Sequence, residues 1–452
     1  MDHHALLKRI EASNDPRIKV AITDLDGILR GKYINKQKFQ SALQGGFGFC
    51  NVVFGWDMTD SCYDNASYTG WHSGYPDVTA QIDLSTFRTV PWDNHVPFFL
   101  GEFVNEAGAP LEICPRQLLK RVIAKAESMG LHPVFACEYE FFNFKETAQS
   151  FAAKGYRDPE PITPGMFGYS LLRAGQNRDY LKALFEELTA FDIPVEGLHT
   201  ETGPGVLEAA IVYTDALAAA DRAVLFKTAT KEIAARFGIM PTFMAKWNSS
   251  LPGSGGHMHQ SMWDAEGKNN VFYDKKNPHG MSALFKHYLA GQLQLMPDML
   301  ALYAPTINSY KRLVEGMWAP TRPAWSVDNR TASLRVIPGS SKATRLETRV
   351  AGADANPYLA MAAALASGLY GIENKLPLTQ SPVQGSAYGA SDTSLLPRDL
   401  AQATAVLSGS KIASEILGET FVKHFVQTRE WEWREYRKAV TDWELKRYFE
   451  II

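Results

Sequence analysis

The sequence predicts an α+β protein with a small, mostly β N-terminal domain and a larger domain whose helices cover an antiparallel sheet. Two observations lead to this prediction. Up to about residue 104, helical periodicity is scarce and glycine and aromatic residues separate short extended runs. Beyond residue 109, helical segments alternate with extended segments of alternating polarity. The NEAGAP loop lies between the two patterns, so we expect domains at residues 17–108 and 109–452.

The N-terminal part contains one clear hairpin signal. Residues 1–16 predict a short amphipathic helix, and the VAITDLDGILRGK segment that follows predicts two strands. Asp26-Gly27 lies between these strands, and Asp-Gly is a typical hairpin turn. The glycine-rich segments that follow predict further strands joined by long loops.

The larger part shows helix boundary signals of several kinds. Residues 115–129 begin with proline and end at Gly130, as helices often do. A long helix is expected over residues 214–237, with Thr214 as its N-cap and Gly238 at its end. The other predicted elements are a strand at 133–144, helices at 178–191 and 282–296, β-like residues at 330–350, and helices after 356 apart from a loop at 379–394.

Composition is typical of a globular enzyme. The chain has 452 residues, of which 45% are hydrophobic and 21% charged, and its formal net charge is −3. This charge argues against nucleic acid or an anionic membrane as the main partner. A signal-peptide core, a membrane-length apolar run and a CxxC pair are all missing from the sequence. We therefore expect a cytoplasmic enzyme.

Residues 241–261 combine unlike chemistries in one short stretch. A β-rich run leads into a loop of glycine, proline and serine, and HMHQS follows. If that piece is extended, His257, His259 and Ser261 share one face because side chains alternate along a strand. Taken alone, the pattern is better explained as the polar outer face of a strand.

Carboxylates repeat the same alternation in three other segments. Glu138 and Glu140 share a face of one strand, and a Gly-Pro-Gly turn could bring Glu201 and Glu208 together. Near residue 347, charges alternate as Arg-x-Glu-x-Arg. Each segment alone could equally be a solvated strand face.

Together the segments predict a metal site. The ligand set is rich in oxygen and suits Mg²⁺ or Mn²⁺ better than structural zinc; it comprises Glu138, Glu140, Glu201, Glu208, Glu347 and His257. Five arginines could neutralise phosphate and carboxylate groups, namely Arg312, Arg330, Arg335, Arg345 and Arg349. No GxxxxGK[ST] loop is present in the sequence. These features predict a metal-dependent enzyme that uses ATP.

A series of motifs along nearly the whole chain resembles the glutamine synthetase family. The motifs are DLDGILRGK, CEYEFF, ETGPGVLE, FMAKWNSSLPGSGGHMHQS, NSYKRL, DNRTASLRV, RLETRVAGADANPY and VTDWELKRYFE. The resemblance implies a β-grasp N-terminal domain and a catalytic domain, with active sites between subunits of a homo-oligomer, commonly a dodecamer of two hexameric rings. It also implies that ATP phosphorylates the γ-carboxylate of glutamate and that a nitrogen nucleophile then displaces phosphate.

The resemblance also implies roles for individual residues. Glu140, Glu201 and Glu208 correspond to ligands of the metal nearer the acceptor, and Glu138, His257 and Glu347 to ligands of the metal on the nucleotide phosphates. The nucleotide-side positions are Glu196, Tyr213, His259, Ser261, Arg335, Lys342 and Arg345. The substrate-side positions are Gly253, His257, Arg312, Arg330 and Arg349, and Arg330 and Arg335 correspond to residues on the transferring phosphate. Asp57 and Asp77 correspond to aspartates of the N-terminal domain that reach a neighbour's site.

One departure from the family pattern concerns the acceptor. True glutamine synthetases have a glutamate six residues after the arginine of NSYKRL, where it helps to deprotonate ammonium. This chain has Trp318 there, and an indole is no base at neutral pH. Trp318 could contact an alkyl or aromatic group or hold an ammonium by cation–π attraction, or it could simply pack under the flap. Pro252 also replaces the loop asparagine, and the tyrosine-bearing adenylylation loop is not recognisable.

The sequence therefore predicts a glutamate–amine ligase that uses ATP and Mg²⁺ or Mn²⁺. Trp318 and the C-terminal VTDWELKRYFE resemble the γ-glutamylamine synthetase branch, whose acceptors are polyamines and monoamines. One alternative is an ordinary glutamine synthetase that uses ammonia, which Trp318 argues against. Another is a ring-forming relative without turnover, which the complete set of six metal ligands argues against.

Overall fold

The computed structural model describes residues 3–390 and 393–452. Two sheets organise these residues, one in the N-terminal quarter and one in the rest of the chain. Helices cover one face of the larger sheet. The predicted α+β class is confirmed. No helix in the described ranges combines the length and the apolar character needed to cross a membrane.

The strands fall into an early and a late group. They are β1 (Arg17–Thr23), β2 (Leu29–Asn35), β3 (Phe47–Cys50), β4 (Asp77–Val90), β5 (Val96–Val104), β6 (Leu131–Phe144), β7 (Val195–Thr200), β8 (Val206–Ile211), β9 (Thr214–Asp215), β10 (Met240–Thr242), β11 (Gly256–Asp264), β12 (Trp325–Val327), β13 (Leu334–Ile337) and β14 (Arg345–Thr348).

The helices lie mainly after residue 114. They are α1 (His3–Ala12), α2 (Lys36–Gly45), α3 (Pro115–Ser128), α4 (Ala148–Ala153), α5 (Leu171–Gln176), α6 (Arg178–Ala190), α7 (Ala216–Ala235), α8 (Ala283–Tyr303), α9 (Ser309–Arg312), α10 (Pro357–Glu373), α11 (Leu400–Gly409), α12 (Lys411–Leu417), α13 (Glu419–Tyr436) and α14 (Asp442–Tyr448).

The smaller sheet has the strand order β2-β1-β5-β4-β3, and β1 and β5 run parallel. Its five strands all lie within residues 17–104, and α2 packs on it. The hairpin predicted around Asp26-Gly27 forms, with Thr23 opposite Leu29. Gly27 has φ +78°, a conformation that glycine adopts without steric cost.

The larger sheet brings the predicted polar faces together. Its strand order is β12-β13-β14-β11-β6-β8-β7, and every neighbouring pair except β12 and β13 is antiparallel. The register places Glu138 opposite His257 and Glu140 opposite Glu208. Because side chains alternate along each strand, these residues all project from one face of the sheet.

The opposite face of β6 forms the core with α7. Tyr139 and Phe141 alternate with the carboxylates Glu138 and Glu140 in sequence, and the centroids of their rings lie 5.7 and 5.9 Å from that of Phe226. The buried helix α10 packs against α3, α7 and α8. The alternation of β6 therefore separates an apolar core face from an acidic face.

A buried ion network joins the smaller sheet to the helices of the larger part. Arg116, at the start of α3, binds Glu102 on β5 at 2.6 Å and Asp221 on α7 at 2.9 Å. Asp83 on β4 is a third partner at 2.8 Å. Loss of Arg116 would leave buried carboxylates without the cation they share, which typically costs about 3–5 kcal/mol.

Several boundary predictions are wrong. The first 104 residues contain the ten-residue helix α2, although helical periodicity there is weak. The long helix begins at Ala216 with Asp215 as its N-cap, because Thr214 belongs to a short strand paired with β6. Helix α8 continues through Pro297 to Tyr303, since its apolar side chains stay buried beyond the proline.

Candidate active site

Two cavities lie on the polar face of the larger sheet and share Glu138. The first, here called the acidic cavity, has a volume of about 450 Å³, and its lining carboxylates are Glu138, Glu140, Glu201 and Glu208. The second, here called the side cavity, has a volume of about 410 Å³. Both are large enough for a small-molecule ligand.

The pKa values of three carboxylates in the acidic cavity are shifted in different directions. Burial raises the pKa of Glu140. Burial also raises the pKa of Glu208, and the charges of Glu138 and Glu140 add to this effect. Burial acts against ionisation of Glu138 as well, but hydrogen bonds from His257 and His259 lower its pKa.

Glu138, His259 and Glu347 have ligand atoms within 4.8 Å of one another. His257, the histidine predicted as the metal ligand here, lies beside the same carboxylates, with Nδ1 3.2 Å from Glu138 and 3.6 Å from Glu347. Both histidines therefore border this group. Burial lowers the pKa of His257, which favours the neutral imidazole that a metal needs.

Glu347 is completely buried between two arginines. Arg335 Nη1 donates to Glu347 Oε2 at 2.9 Å, and Arg349 Nη1 donates to Oε1. Arg335 also binds Asp328. These charge-assisted bonds hold the carboxylate ionised at the edge of the metal group.

Three arginines line the acidic cavity, namely Arg312, Arg330 and Arg349. Arg312 is buried and donates to the backbone oxygens of Val350 and Arg349, each at 3.1 Å. Arg349 Nε donates to the backbone oxygen of Arg330 at 3.0 Å. Gly253 also lines this cavity, and a Cβ there would lie 2.8 Å from Arg312 Cγ. Glycine thus permits the loop to approach the arginine.

Trp318 lines the acidic cavity from a loop between Arg312 and β12. Its φ is +61°, which is unusual for a bulky residue, and its side chain is 60% exposed. Met317, Tyr169 and Val206 line the same cavity. The lining of the cavity therefore includes aromatic and apolar side chains as well as charged ones.

The side cavity contains all but one of the residues predicted on the nucleotide side. They are Glu196, Tyr213, His259, Ser261, Lys342 and Arg345. Arg345 Nε lies 3.2 Å from His259 Nδ1, and Trp263 Nε1 donates to Ser261 Oγ at 3.0 Å. The exception is Arg335, which lies between Asp328 and Glu347.

The aspartates of the smaller domain do not join the site. Asp57 Oδ1 accepts hydrogen bonds from the backbone of Thr59 and Ser61, each at 2.8 Å, and so caps its own turn. Asp77 begins β4, opposite Cys50. Within one copy of the chain, neither residue lines the acidic cavity.

Sequence reasoning overlooked Tyr169 and His199. Tyr169 lies in a loop with φ +55°, and nothing in the sequence signals that this loop reaches the cavity. His199 could have been found, because it lies two residues before the predicted ligand Glu201, and period-two alternation in an extended segment predicts a shared face. In the structure β7 ends at Thr200, and His199 lies opposite Glu208 on β8. Its Nε2 is 3.1 Å from Glu208 Oε1, and this hydrogen bond raises the pKa of His199.

The donor set of the acidic cavity fits hard divalent cations. Glu140 and Glu208 lie opposite each other on neighbouring strands, and both have raised pKa values. A buried carboxylate pair is stabilised by a cation between its members. Carboxylate oxygens are the ligands that Mg²⁺ and Mn²⁺ prefer, so this oxygen-rich set suits them better than a structural zinc.

Comparison with known proteins identifies relatives along the full chain. Residues 112–448 match the family described as glutamine synthetase, catalytic domain. The type-1 glutamine synthetase 2 of Dictyostelium discoideum is 54% identical over 450 residues, which cover 99% of this chain and 86% of the relative. The glutamate–isopropylamine ligase of a Pseudomonas species is 39% identical, with coverage of 98% and 97%.

A solved structure of GmaS in complex with ADP has the same architecture. Its TM-score is 0.86 at 27% sequence identity, and the match covers 98% of this chain and 99% of that chain. This likeness confirms the predicted arrangement of a small N-terminal sheet and a larger catalytic sheet.

Proposed function

The chain belongs to the glutamine synthetase family and is a ligase, and from this we propose that it joins the γ-carboxylate of glutamate to an amine with the use of ATP. The products are a γ-glutamylamide, ADP and phosphate. ATP and Mg²⁺ or Mn²⁺ are the proposed cofactors. The proposed assembly is a ring-shaped homo-oligomer, a dodecamer of two hexamers, in the cytoplasm.

The observation that carries the proposal is the position of Trp318. It lines the acidic cavity where the family's ammonia-using members carry a carboxylate, and Tyr169 and Met317 line the same cavity. An aromatic and thioether wall favours an alkyl substituent on the acceptor, and indole attracts an ammonium group. The ammonium ion shares the attraction to indole but has no alkyl group to bury against this wall.

The carboxylates and histidines divide into two proposed metal sites. Glu140, Glu201 and Glu208 would hold a metal beside the acceptor, and Glu138, His257 and Glu347 one beside the nucleotide phosphates, with His259 adjacent. When bound, these cations neutralise charge on the transferring phosphoryl group. Glu138 lines both cavities and would link the two sites.

The remaining residues bind and align the substrates. The side cavity would hold ATP through Tyr213, Ser261, Lys342 and Arg345, with Glu196 at the ribose. Arg312, Arg349 and Gly253 would hold glutamate. Arg330 and Arg335 would stabilise the phosphoryl group as it passes from ATP to the γ-carboxylate, which yields γ-glutamyl phosphate and ADP.

The amine completes the reaction by attack on the acyl carbon. Its nitrogen forms the new C–N bond, phosphate leaves with the electron pair of the C–O bond, and one proton must leave the nitrogen. That proton is lost as the amide forms; because an alkylammonium is no nucleophile, a carboxylate must first accept another proton from it before attack. Glu315 in the Trp318 loop and Asp57 of a neighbouring copy are the candidates.

Glutamine synthesis from ammonia is the second candidate. It is favoured by the 54% identity to a protein named a glutamine synthetase. Glu315 or Asp57 of a neighbouring copy would then deprotonate ammonium. The two candidates share the phosphoryl-transfer step and differ only in the nucleophile.

Glutamate-dependent phosphate release with a panel of acceptors tests the proposal. The panel contains ammonia, methylamine, ethylamine, isopropylamine, ethanolamine, putrescine, spermidine and benzylamine, and mass spectrometry identifies the amide. We expect an organic amine to have the highest kcat/KM. Ammonia as the clearly best acceptor would refute the amine ligase, and the absence of glutamate-dependent ATP cleavage with every acceptor would refute both candidates.

A further inference from the structure

His199 on β7 has a polar neighbour at each ring nitrogen, and one of these neighbours is a carboxylate of the acidic cavity. One ring nitrogen, Nε2, lies 3.1 Å from Oε1 of Glu208, which faces it on β8. The other, Nδ1, lies 3.1 Å from the backbone oxygen of Thr200. With a contact at each nitrogen, the plane of the imidazole is fixed.

The ring of Tyr169 stacks on this imidazole. The ring centroids are 4.4 Å apart and the planes differ by 25°. Tyr169 otherwise has 64% of its surface exposed, and it lines the acidic cavity. The imidazole of His199 therefore supports the ring of Tyr169 where that ring lines the cavity.

Strand β7 also holds the backbone on which Tyr169 is carried. The Tyr169 N–H donates to the Thr200 oxygen at 2.6 Å, and the Ser170 N–H donates to Thr200 Oγ1 at 2.8 Å. Tyr169 has φ +55°, a conformation that typically costs about 1–3 kcal/mol for such a residue. The contacts with β7 hold the strained loop against the strand, so that the tyrosine ring reaches His199.

We propose that His199 is a positioning residue that orients Glu208 toward a divalent cation through Nε2 and supports the aromatic wall of the acceptor pocket through its ring plane. The proposal rests on the ligase function proposed above. Hydrogen bonds to a ligating carboxylate typically change metal affinity about 10- to 100-fold. An aromatic platform fixes the position of Tyr169 and hence the fit of the acceptor.

Two variants of His199 separate these roles. In His199→Gln the side-chain amide nitrogen can replace Nε2, but no ring remains. In His199→Phe the ring remains without a donor. Both are made in the full-length chain, and Mn²⁺ binding is measured by electron paramagnetic resonance without substrates, so that metal affinity is read independently of turnover.

We expect His199→Phe to bind Mn²⁺ about 10-fold or more weakly, with a nearly unchanged KM for the best acceptor of the panel at saturating metal. His199→Gln should retain Mn²⁺ affinity within about threefold and raise the acceptor KM, while the KM for ATP changes little. If His199 had only a structural role, both variants would show the same loss of folded protein and of kcat. Metal affinity and acceptor KM would then not respond separately to the two substitutions.

His132 provides a matched control. It forms a similar histidine–carboxylate pair on the same sheet, with Nε2 2.8 Å from Asp215, and it lines neither cavity. His132→Gln should leave Mn²⁺ affinity and acceptor KM unchanged. Equal effects of the two His199 variants on both constants, or no effect on either, would overturn the proposal. Preference for ammonia would instead refute the amine ligase, so the two failures can be told apart.

Discussion

Arg335 on β13 and Glu347 on β14 lie directly opposite each other and form a 2.9 Å hydrogen bond between Nη1 and Oε2. Burial would raise the pKa of Glu347, but the charges of Arg349, His259 and His257 lower it to about 2. The carboxylate is therefore ionised at any ordinary pH. This pair joins a proposed phosphate-binding arginine to a proposed metal ligand.

Replacement of Glu347 by glutamine should affect both catalysis and stability. The amide keeps the shape of the carboxylate but removes the charge that faces Arg335 and Arg349. We expect weaker Mn²⁺ binding, a loss of about 100-fold or more in glutamate-dependent ATP cleavage, and about 3–5 kcal/mol less unfolding free energy. Glu373→Gln is the control, since Glu373 forms an exposed pair with Lys125. Wild-type Mn²⁺ affinity in Glu347→Gln would refute the assignment.

Trp318→Glu should shift acceptor use toward ammonia. The substitution restores a carboxylate that can accept a proton from ammonium and removes the apolar wall offered to an alkyl group. We expect the ratio of kcat/KM for ammonia to that for ethylamine to rise about 10-fold or more. Trp318→Phe retains an aromatic ring and should keep the wild-type ratio. An unchanged ratio in Trp318→Glu would mean that the tryptophan only packs in its loop.

Arg345 should contribute to the binding of ATP and not to the binding of glutamate. It lies in the side cavity with its Nε 3.2 Å from His259 Nδ1. Arg345→Ala should raise the KM for ATP about 10-fold or more with little change in the KM for glutamate. Arg345→Lys should rescue poorly, because a lysine lacks the planar fork that binds phosphate oxygens in pairs. An equal rise in both KM values would place Arg345 outside the nucleotide site.

Mixed oligomers can test whether Asp57 serves a neighbour's site. Asp57→Ala lacks the aspartate but keeps all the proposed metal ligands. Glu347→Gln keeps Asp57 but lacks one metal ligand, so an oligomer made of either variant alone should be nearly inactive. In a randomly mixed 1:1 oligomer, about a quarter of the sites would combine the two intact parts. We therefore expect activity to return to about a quarter of wild type after dissociation and reassembly of differently tagged chains. Verified mixed oligomers as inactive as their parents would exclude the shared site.

Because His424 is buried, we expect the folded protein to lose stability on mild acidification. Burial lowers its pKa from 6.5 to about 4. Between pH 6.5 and pH 4 the unfolded chain binds a proton that the folded chain does not, so stability is complete above pH 6.5 and falls as pH falls. The contribution lost from pH 7.5 to pH 5 is about 2 kcal/mol.

His424→Phe removes this titration while filling the same space beside Tyr68, whose ring centroid lies 5.8 Å away. Thermal unfolding of both proteins at pH 7.5 and pH 5 gives the measurement. The Tm of the wild type should fall more than that of the variant. Equal falls would show that His424 is not responsible.

Strand patterns were the most informative part of the sequence. In β6 the carboxylates alternate with Tyr139 and Phe141, and the structure places the first set in a cavity and the second in the core. The same alternation placed His257, His259 and Ser261 on one face of β11. Period-two patterns work here because the strands are half-buried and antiparallel.

Features that depend on tertiary contacts were not predictable. Helix α2 buries only Phe39 and Ala42, so its periodicity was too weak to detect. Thr214 has the chemistry of an N-cap, but pairing with β6 draws it into a strand. Tyr169 reaches the cavity through a strained loop whose course no local signal predicts.

Strand β6 is paired along its length, to β11 and β10 on one side and to β8 and β9 on the other. A single residue inserted near its middle would exchange the two sets of side chains downstream, sending carboxylates into the packing against α7 and phenyl rings into the cavity. We therefore expect that insertions and deletions in β6 prevent folding, whereas those in exposed connections such as residues 265–268 are tolerated. A deletion-scanning library selected for folded protein would map this intolerance directly.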